Sequence, residues 1–349
     1  MQFITDLGKN MDKGSEKILL AHGAGGELSR KILHRLVLRY FHSPSLALLS
    51  DSGLLPLQQG MLSYTTDSYV INPIFFPGGD IGKLSICGTI NDLAVSGAIP
   101  KALTFACIVE EGMDIGDLEK IFASAAKEAE IAKAEIVAGD FKVVEKGAAD
   151  SLFITTSGIG LLHPLASLGY KKISSGDAII VTGTLGDHSA AITLSRGDFS
   201  IRTEIKSDCA SLSPLLLPLF DLCGSSIHSM RDLTRGGLAT TLCELSDSAE
   251  KSFLIEEGNI PIKKSVATIC DLFGYDPLYL ANEGKAVIFC DSNDSPRLLS
   301  FLQSHPLGKD AKIIGRVLSD KESRVVMHTK NGGKRLIEML QGDQLPRIC

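Results

Sequence analysis

Short apolar or β-branched runs alternate with helical patterns along most of the chain, and the alternation pauses once, near residues 165 to 172. Each half therefore predicts layered packing of helices on sheet, of α/β or α+β class. At 349 residues the chain also exceeds one ordinary core, so two domains are expected. The expected divisions are an N-terminal segment over 1–45, a first domain over 46–168, a second over 169–340 and a tail over 341–349.

In the first half, Leu62 to Ser68 reads as a β-branched strand carrying Asp67 near its end. Asp80 caps a helix of small and apolar residues that includes Asn91 and Asp92, two side chains costly to bury without partners. Lys101 to Val109 forms a strand. Asp117 to Lys133 is an amphipathic helix with Leu118, Ile121, Phe122, Ala125 and Ala129 on one face. The strand Ala134 to Ala138 runs into Gly139-Asp140-Phe141-Lys142, and Leu152 to Leu161 is another strand. A single aspartate is ordinarily a solvated surface residue. Asp67, Asp92 and Asp140 all stand at strand ends or in an apolar helix, which makes them candidate oxygen ligands. Such hard ligands suit Mg2+, which keeps waters and bridges nucleotide phosphates. Lys142 adds a point charge for a phosphoryl group.

Upstream, His22-Gly23-Ala24-Gly25-Gly26 leads into a helical pattern from Glu27 to Val37. Such a turn can present backbone N–H groups to phosphate, with Gly23, Gly25 and Gly26 as the close-approach positions. It is neither a Walker loop nor a dinucleotide fingerprint, since Leu28 stands where the third glycine belongs. Taken alone, a flexible linker explains it equally well.

In the second half, Ala178 to Gly183 reads as a buried strand, and Gly186 to Ala191 as a helix start on which His188 is a surface or capping residue. Met230 to Leu238 opens a further helix that carries Asp232. Phe253 to Glu257 and Ala286 to Cys290 are strands separated by a helix from Ile262 to Phe273, with Glu283 on the turn Ala281 to Lys285. A helix from Ser295 to Gln303 and strands at Ile313–Val317 and Arg324–Met327 close the domain.

A hydrophobic content of 44% with 22% charged residues is that of a soluble globular protein. With 35 basic against 41 acidic residues, and no basic arm, nothing recruits nucleic acid. Met1 to Asp6 lacks the pattern of a signal peptide, and no apolar run reaches membrane-spanning length. Eight cysteines are scattered without a Cys-x-x-Cys pair, which fits a reducing compartment and a cytoplasmic location. Cys87, Cys107 and Cys290 lie in apolar stretches and read as small hydrophobes.

The eighth, Cys349, is the last residue. A frayed end that happens to finish in cysteine is the bland reading. A prenylation box needs cysteine fourth from the end, where Pro346 stands. Gly342 and Pro346 disfavour a helix here. Extended, Gln341 to Cys349 reaches about 30 Å at about 3.3 Å per residue. That is enough to carry a thiol from solvent into a cleft of its own chain.

Thr66-Asp67-Ser68, the helix from Gly82 to Asp92, Gly139-Asp140, Asp232 to Leu238 and Asn282-Glu283-Gly284 together resemble the superfamily of aminoimidazole ribonucleotide synthetase, selenophosphate synthetase and thiamine monophosphate kinase. Within it, His22 to Gly26, Ala138 to Val144 and the ending Pro346-Arg347-Ile348-Cys349 are similar to the carbamoyl dehydratase family of [NiFe]-hydrogenase maturation. The chain departs from that pattern at Phe141, where the family has threonine. The resemblance implies a two-domain aminoimidazole ribonucleotide synthetase-like fold, with the N-terminal domains of a homodimer forming a β-barrel and a flexible C-terminal tail. It implies ATP and Mg2+ in a cleft built from Gly23, Gly25, Gly26, Asp67, Asn91, Asp92, Asp140, Lys142 and Asp232, with Asp67, Asp92 and Asp140 on the metal. It implies a carbamoyl group carried on Cys349 and dehydrated to a thiocyanate, with Glu283, or else Lys142, taking the amide protons. The implied partners are a carbamoyltransferase of the HypF type and an iron-carrying scaffold complex of the HypC–HypD type.

Two alternatives stay open on the sequence alone. One is another ATP-dependent synthetase or kinase of the superfamily acting on a small molecule, although a selenophosphate synthetase would carry a reactive cysteine or selenocysteine in the loop around Gly23. The other is an assembly scaffold that keeps the fold without the chemistry, against which the intact Asp67, Asp92, Asp140 and Lys142 argue.

Overall fold

Among the described residues, a four-stranded sheet with two long helices on one face, and a helical segment at His34–Leu38 packed on the second of them, makes the first domain, and a seven-stranded sheet makes the second. The computed structural model describes residues 16–19, 31–32, 34–42, 61–197, 204–320, 322–340, 345 and 347–349. The expected glycine loop, with Gly23, Gly25 and Gly26, lies outside the described residues.

Strand β1 (Leu62–Tyr69) is followed by a small hairpin of β2 (Phe75–Phe76) and β3 (Gly79–Asp80), then helix α1 (Ile81–Val95), β4 (Ala98–Glu110), α2 (Ile115–Ile131), β5 (Glu135–Val144) and β6 (Leu152–Leu162). The sheet order is β1-β6-β4-β5, with β4 and β5 parallel and the other pairs antiparallel. Asp80 caps α1 by accepting from the N–H groups of Gly82 and Lys83, which answers two of the orphan donors of the first turn. The helix is apolar all round because it is buried nearly all round. One side meets β1, β6 and α2, and another meets the second domain. Gly82 permits the close crossing, since a Cβ there would fall 2.2 Å from the Ile121 carbonyl oxygen of α2.

The expected strand before Gly139 does not stop there. Gly139, Asp140, Phe141 and Lys142 are all inside β5, because Phe141 packs into the core under α2 and the ladder with β4 runs on to Val144. Nor does the single chain close a barrel. Among the described residues, β1 and β5 are open edges, and the sheet face opposite the helices exposes Leu62, Tyr64 and Ile108.

The second domain runs β7 (Ala178–Val181), α3 (Asp187–Arg196), α4 (Ser213–Leu216), α5 (Pro218–Cys223), β8 (Ile227–Asp232), α6 (Gly237–Ala249), β9 (Phe253–Glu256), α7 (Lys264–Phe273), β10 (Ala286–Cys290), α8 (Ser295–Ser304), β11 (Lys312–Val317), β12 (Val325–His328) and β13 (Lys334–Ile337). Its sheet order is β13-β12-β9-β11-β7-β10-β8, parallel only between β9 and β12. The helix expected from Met230 is corrected here. Met230, Arg231 and Asp232 pair with β10 as strand, and the left-handed turn at Gly236 and Gly237 starts the helix only afterwards. Cys87, Cys107 and Cys290 are buried, as their apolar contexts predict.

Candidate active site

The two domains meet along α1, and a cavity of about 380 Å³ opens at this seam. Asp67 and Tyr69 on β1 line it from the first domain, with Gly88 and Asp92 on α1. Arg231, Asp232, Thr234, Arg235 and Glu283 line it from the second, and Cys349 from the chain end. Gly88 makes room for the Tyr69 hydroxyl, which a Cβ at that position would meet at 2.3 Å.

The cavity is a store of negative charge. Asp67 is pushed up to about 6, first by burial and then by the charge of Asp92. Asp232 is pushed up to about 6 in the same way, by burial and then by Asp92. Glu283 is raised well above the usual carboxylate range, by burial first and then by Asp232, Asp208, Asp67 and Asp92. Burial disfavours the ionised form and neighbouring carboxylates add to that. Among the described residues, relief on Asp67 comes from Arg235, whose Nη2 lies 3.9 Å away. Asp92 accepts from the Thr65 hydroxyl at 2.7 Å.

Glu283 is held rigidly. Its N–H donates to Asp208 Oδ1 at 3.1 Å, while Asp208 Oδ2 lies 3.2 Å from the Lys285 ammonium. Asn282 beside it accepts from the Gly186 N–H at 2.7 Å and donates to the Leu280 carbonyl at 2.8 Å. Gly284 cannot carry a side chain, since a Cβ would stand 1.9 Å from the Asp208 carbonyl oxygen. Yet Oε1 of Glu283 is buried and, among the described residues, has no hydrogen-bond partner. A buried carboxyl on a main chain held this firmly, with one oxygen unanswered, is aimed at something that arrives with a ligand.

The tail enters from the opposite side. Val70 N–H donates to the Cys349 carbonyl oxygen at 3.1 Å, and Asn72 N–H to the Arg347 carbonyl at 3.4 Å. The chain end thus runs antiparallel to the extension of β1. Arg347 donates to the Val70 carbonyl at 2.9 Å and to Asp150 Oδ2 at 2.6 Å. Burial, then the charge of Glu283, pushes the Cys349 thiol up to about 12.

Of the residues expected in the site, the structure brings together Asp67, Asp92, Asp232, Glu283 and Cys349. It does not bring Asn91, Asp140 or Lys142 to them. Asn91 points away from the cavity: its amide donates to the Ala210 and Glu283 carbonyls, both at 3.1 Å, and accepts from Leu212 N–H at 2.7 Å. Asp140 and Lys142 form an ion pair on β5, at the far edge of the sheet from Asp67. Accordingly no group of three metal-ligating side chains converges among the described residues. Asp67 and Asp92 do fit a divalent cation that takes its remaining ligands from water and phosphate, because two mutually repelling carboxylates are relieved by it. Sequence reasoning missed Tyr69 and Arg235, although Arg235 lies inside a stretch that carried the resemblance, and it took buried His188 for a surface or capping residue.

This fold and acidic seam define an AIR synthase related protein. Residues 49–162 match the N-terminal domain of that family and residues 174–328 its C-terminal domain. Carbamoyl dehydratase HypE of Rhodobacter capsulatus is 43% identical over 337 residues, covering 96% of this chain and 98% of its own. A crystal structure of hydrogenase maturation protein HypE in complex with ATP superposes with a TM-score of 0.90 at 42% identity, covering 95% of this chain and 99% of that one. The HypE of a HypE–HypF complex superposes with a TM-score of 0.78 at 41% identity over 88% of this chain and 99% of that one. The chain belongs to the HypE family of carbamoyl dehydratases. Among the described residues no helix is long and apolar enough to cross a membrane.

Proposed function

We propose that this chain is an ATP-dependent carbamoyl dehydratase acting on a carboxamide carried by its own Cys349, yielding a protein thiocyanate as the source of the cyanide ligand of [NiFe]-hydrogenase iron. The observation that carries the reading is Cys349, seated by main-chain hydrogen bonds in the cavity that also holds Asp67, Asp92, Asp232 and Glu283. The HypE relative bound to ATP supports the nucleotide.

An amide oxygen is a poor leaving group. Attack of the carboxamide oxygen on the γ-phosphorus of ATP expels ADP and, with loss of one N–H proton, leaves an O-phosphoryl imidate. Removal of the second N–H proton then forms the C≡N bond as phosphate departs with the former amide oxygen. The sum is thiocarbamate plus ATP giving thiocyanate, ADP and phosphate. Magnesium held with the nucleotide by Asp67 and Asp92 supplies charge neutralisation for the phosphoryl oxygens. Glu283 takes the amide proton: its Oε1 has no hydrogen-bond partner among the described residues, and a cation seated at Asp67 and Asp92 would favour its ionised form. Arg235, exposed at the mouth, offers a charge to the phosphates.

Asp140 and Lys142 enter this reading through a second copy. The open edges β1 and β5 and the exposed face with Tyr64 and Ile108 suit closure of two four-stranded sheets into one dimeric barrel. Asp140 and Lys142 of one copy then complete the cavity of the other as third ligand and phosphoryl-binding charge. With Cys349 free, the tail leaves the cavity to be carbamoylated by a HypF-type carbamoyltransferase, as the HypE–HypF complex of a relative suggests, and once it carries the thiocyanate it leaves again to meet a HypC–HypD type scaffold that takes the cyanide in the cytoplasm.

The test is the mass of the C-terminal peptide after incubation with a carbamoyltransferase, a carbamoyl donor, magnesium and ATP. A carboxamide that loses one water only when ATP is present supports the reading. A carboxamide that never loses water overturns it.

A further inference from the structure

His188 is completely buried at the start of α3, and the reaction just described does not use it. Its Nε2 lies 2.8 Å from the carbonyl oxygen of Ile348, and its Nδ1 lies 2.7 Å from the Ser207 hydroxyl. A carbonyl only accepts, so Nε2 carries the hydrogen, and Nδ1 accepts from Ser207. The ring edge is braced against Phe76 at 5.6 Å between centroids. Burial lowers the basicity of this ring and keeps it neutral, the form in which Nδ1 can accept from Ser207.

Successive carbonyls of the tail alternate between the domains. Those of Arg347 and Cys349 accept from Asn72 and Val70 of the first domain, and that of Ile348 turns to His188 of the second. Arg196, two turns along α3, also reaches the Arg347 carbonyl at 2.5 Å. The Arg347 carbonyl is therefore held from both domains, and the Ile348 carbonyl, one residue before Cys349, from the second.

We propose that His188 is a positioning residue that latches the chain end into the cavity through the Ile348 carbonyl, and so sets the balance between seated and released tail. It recognises main chain, so it serves the free and the modified cysteine alike. This inference rests on the reading of Cys349 as the carrier, but its test needs neither ATP nor a carbamoyl group.

The experiment is the rate of Cys349 alkylation by iodoacetamide in the full-length protein, read by mass on the C-terminal peptide, for wild type, H188L and H188Q. Leucine fills the space without a donor, and glutamine restores one. H188L is expected to alkylate about tenfold faster, equivalent to about 1.4 kcal/mol less seating, with H188Q close to wild type. Equal rates in folded wild type and H188L overturn the latch. Should H188L not fold, ring 15N spectra of His188 decide: they change on deletion of Ile348 and Cys349 if the latch exists, and identical spectra refute it. An H188L that alkylates faster while dehydration of the carboxamide never occurs in wild type would keep the latch and sink the dehydratase.

Discussion

The side-chain amide of Asn91 donates to the main-chain carbonyl of Glu283 at 3.1 Å, tying the central helix of one domain to the turn of the other that carries Glu283. The same amide answers Ala210 and Leu212, so a single buried side chain fastens three points of the second domain. Asn91→Ala leaves buried main-chain groups without partners, each costing about 1–3 kcal/mol. The expected outcome is a loss of about 2–4 kcal/mol in urea unfolding, together with a dehydration rate that falls because Glu283 is no longer held. Unchanged stability would show that the two domains are not coupled through this residue.

The acidic cavity makes stability depend on pH. Asp67 and Asp232 titrate at about 6 when folded, against about 3.9 in an unfolded chain. Between those values the unfolded chain has released protons that the folded chain retains. Stability without cation therefore falls as pH rises from about 4 to about 6, and the deficit persists above. Thermal unfolding of the cation-free protein should show this decline, and D232N should flatten it by about 3 kcal/mol at pH 7.5. Magnesium should stabilise above pH 6 and lose its effect below, where the carboxylates are protonated. A D232N profile parallel to wild type would sink the assignment.

Seating the tail hides the nucleophile. The Cys349 thiol is pushed up to about 12 in the cavity, whereas an exposed thiol titrates near 8.5. Alkylation then proceeds only from the released tail, so its pH profile should show the ordinary pKa of a free thiol at reduced amplitude. An inflection near 12 would mean that the seated thiol itself reacts.

Much of this arrangement was legible from residue pattern. The aspartate cap of the central helix, the amphipathic face of Leu118, Ile121 and Phe122, and the strands carrying Asp67 and Glu283's neighbours all follow from periodicity and local hydrogen-bonding chemistry. What escaped depends on tertiary pairing. The segment Met230 to Asp232 has no periodicity that separates a short buried strand from a helix, and only its ladder with β10 decides. His188 reads as a surface or capping residue because nothing local says that the chain end, 160 positions away, will lie on it. The resemblance places Asn91 in the cleft, whereas the pattern says only that a buried amide needs partners and not that main-chain carbonyls of the second domain supply them.

Glu283→Gln isolates the proton-removal step. The amide keeps the size of the carboxyl and cannot act as a base. Carbamoylation of Cys349 should proceed as in wild type, while loss of water slows by about 10²–10⁴-fold, the range for removing a positioned general base. The C-terminal peptide should accumulate as carboxamide. Removing a buried carboxyl crowded by Asp232 and Asp208 should also raise the melting temperature at neutral pH. Normal dehydration by E283Q would transfer the role to Lys142.

A cavity shared between two copies, as proposed, would have its own consequence. If Asp67 of one chain works with Lys142 of the other, then D67N and K142A are each inactive as homodimers. Their mixed dimer holds one cavity with both defects and one with neither, since the K142A chain provides Asp67 and the D67N chain provides Lys142. Half of the dimers in an equal, freely exchanging mixture are mixed, and half of their sites are intact. Mixing should therefore restore about one quarter of wild-type dehydration, measured after unfolding and refolding the two variants together. If the cavity is instead completed within one chain, no site in any dimer is intact and the mixture stays inactive. The open edges of β1 and β5 and the distance in the sheet between Asp67 and the Asp140–Lys142 pair favour the first result.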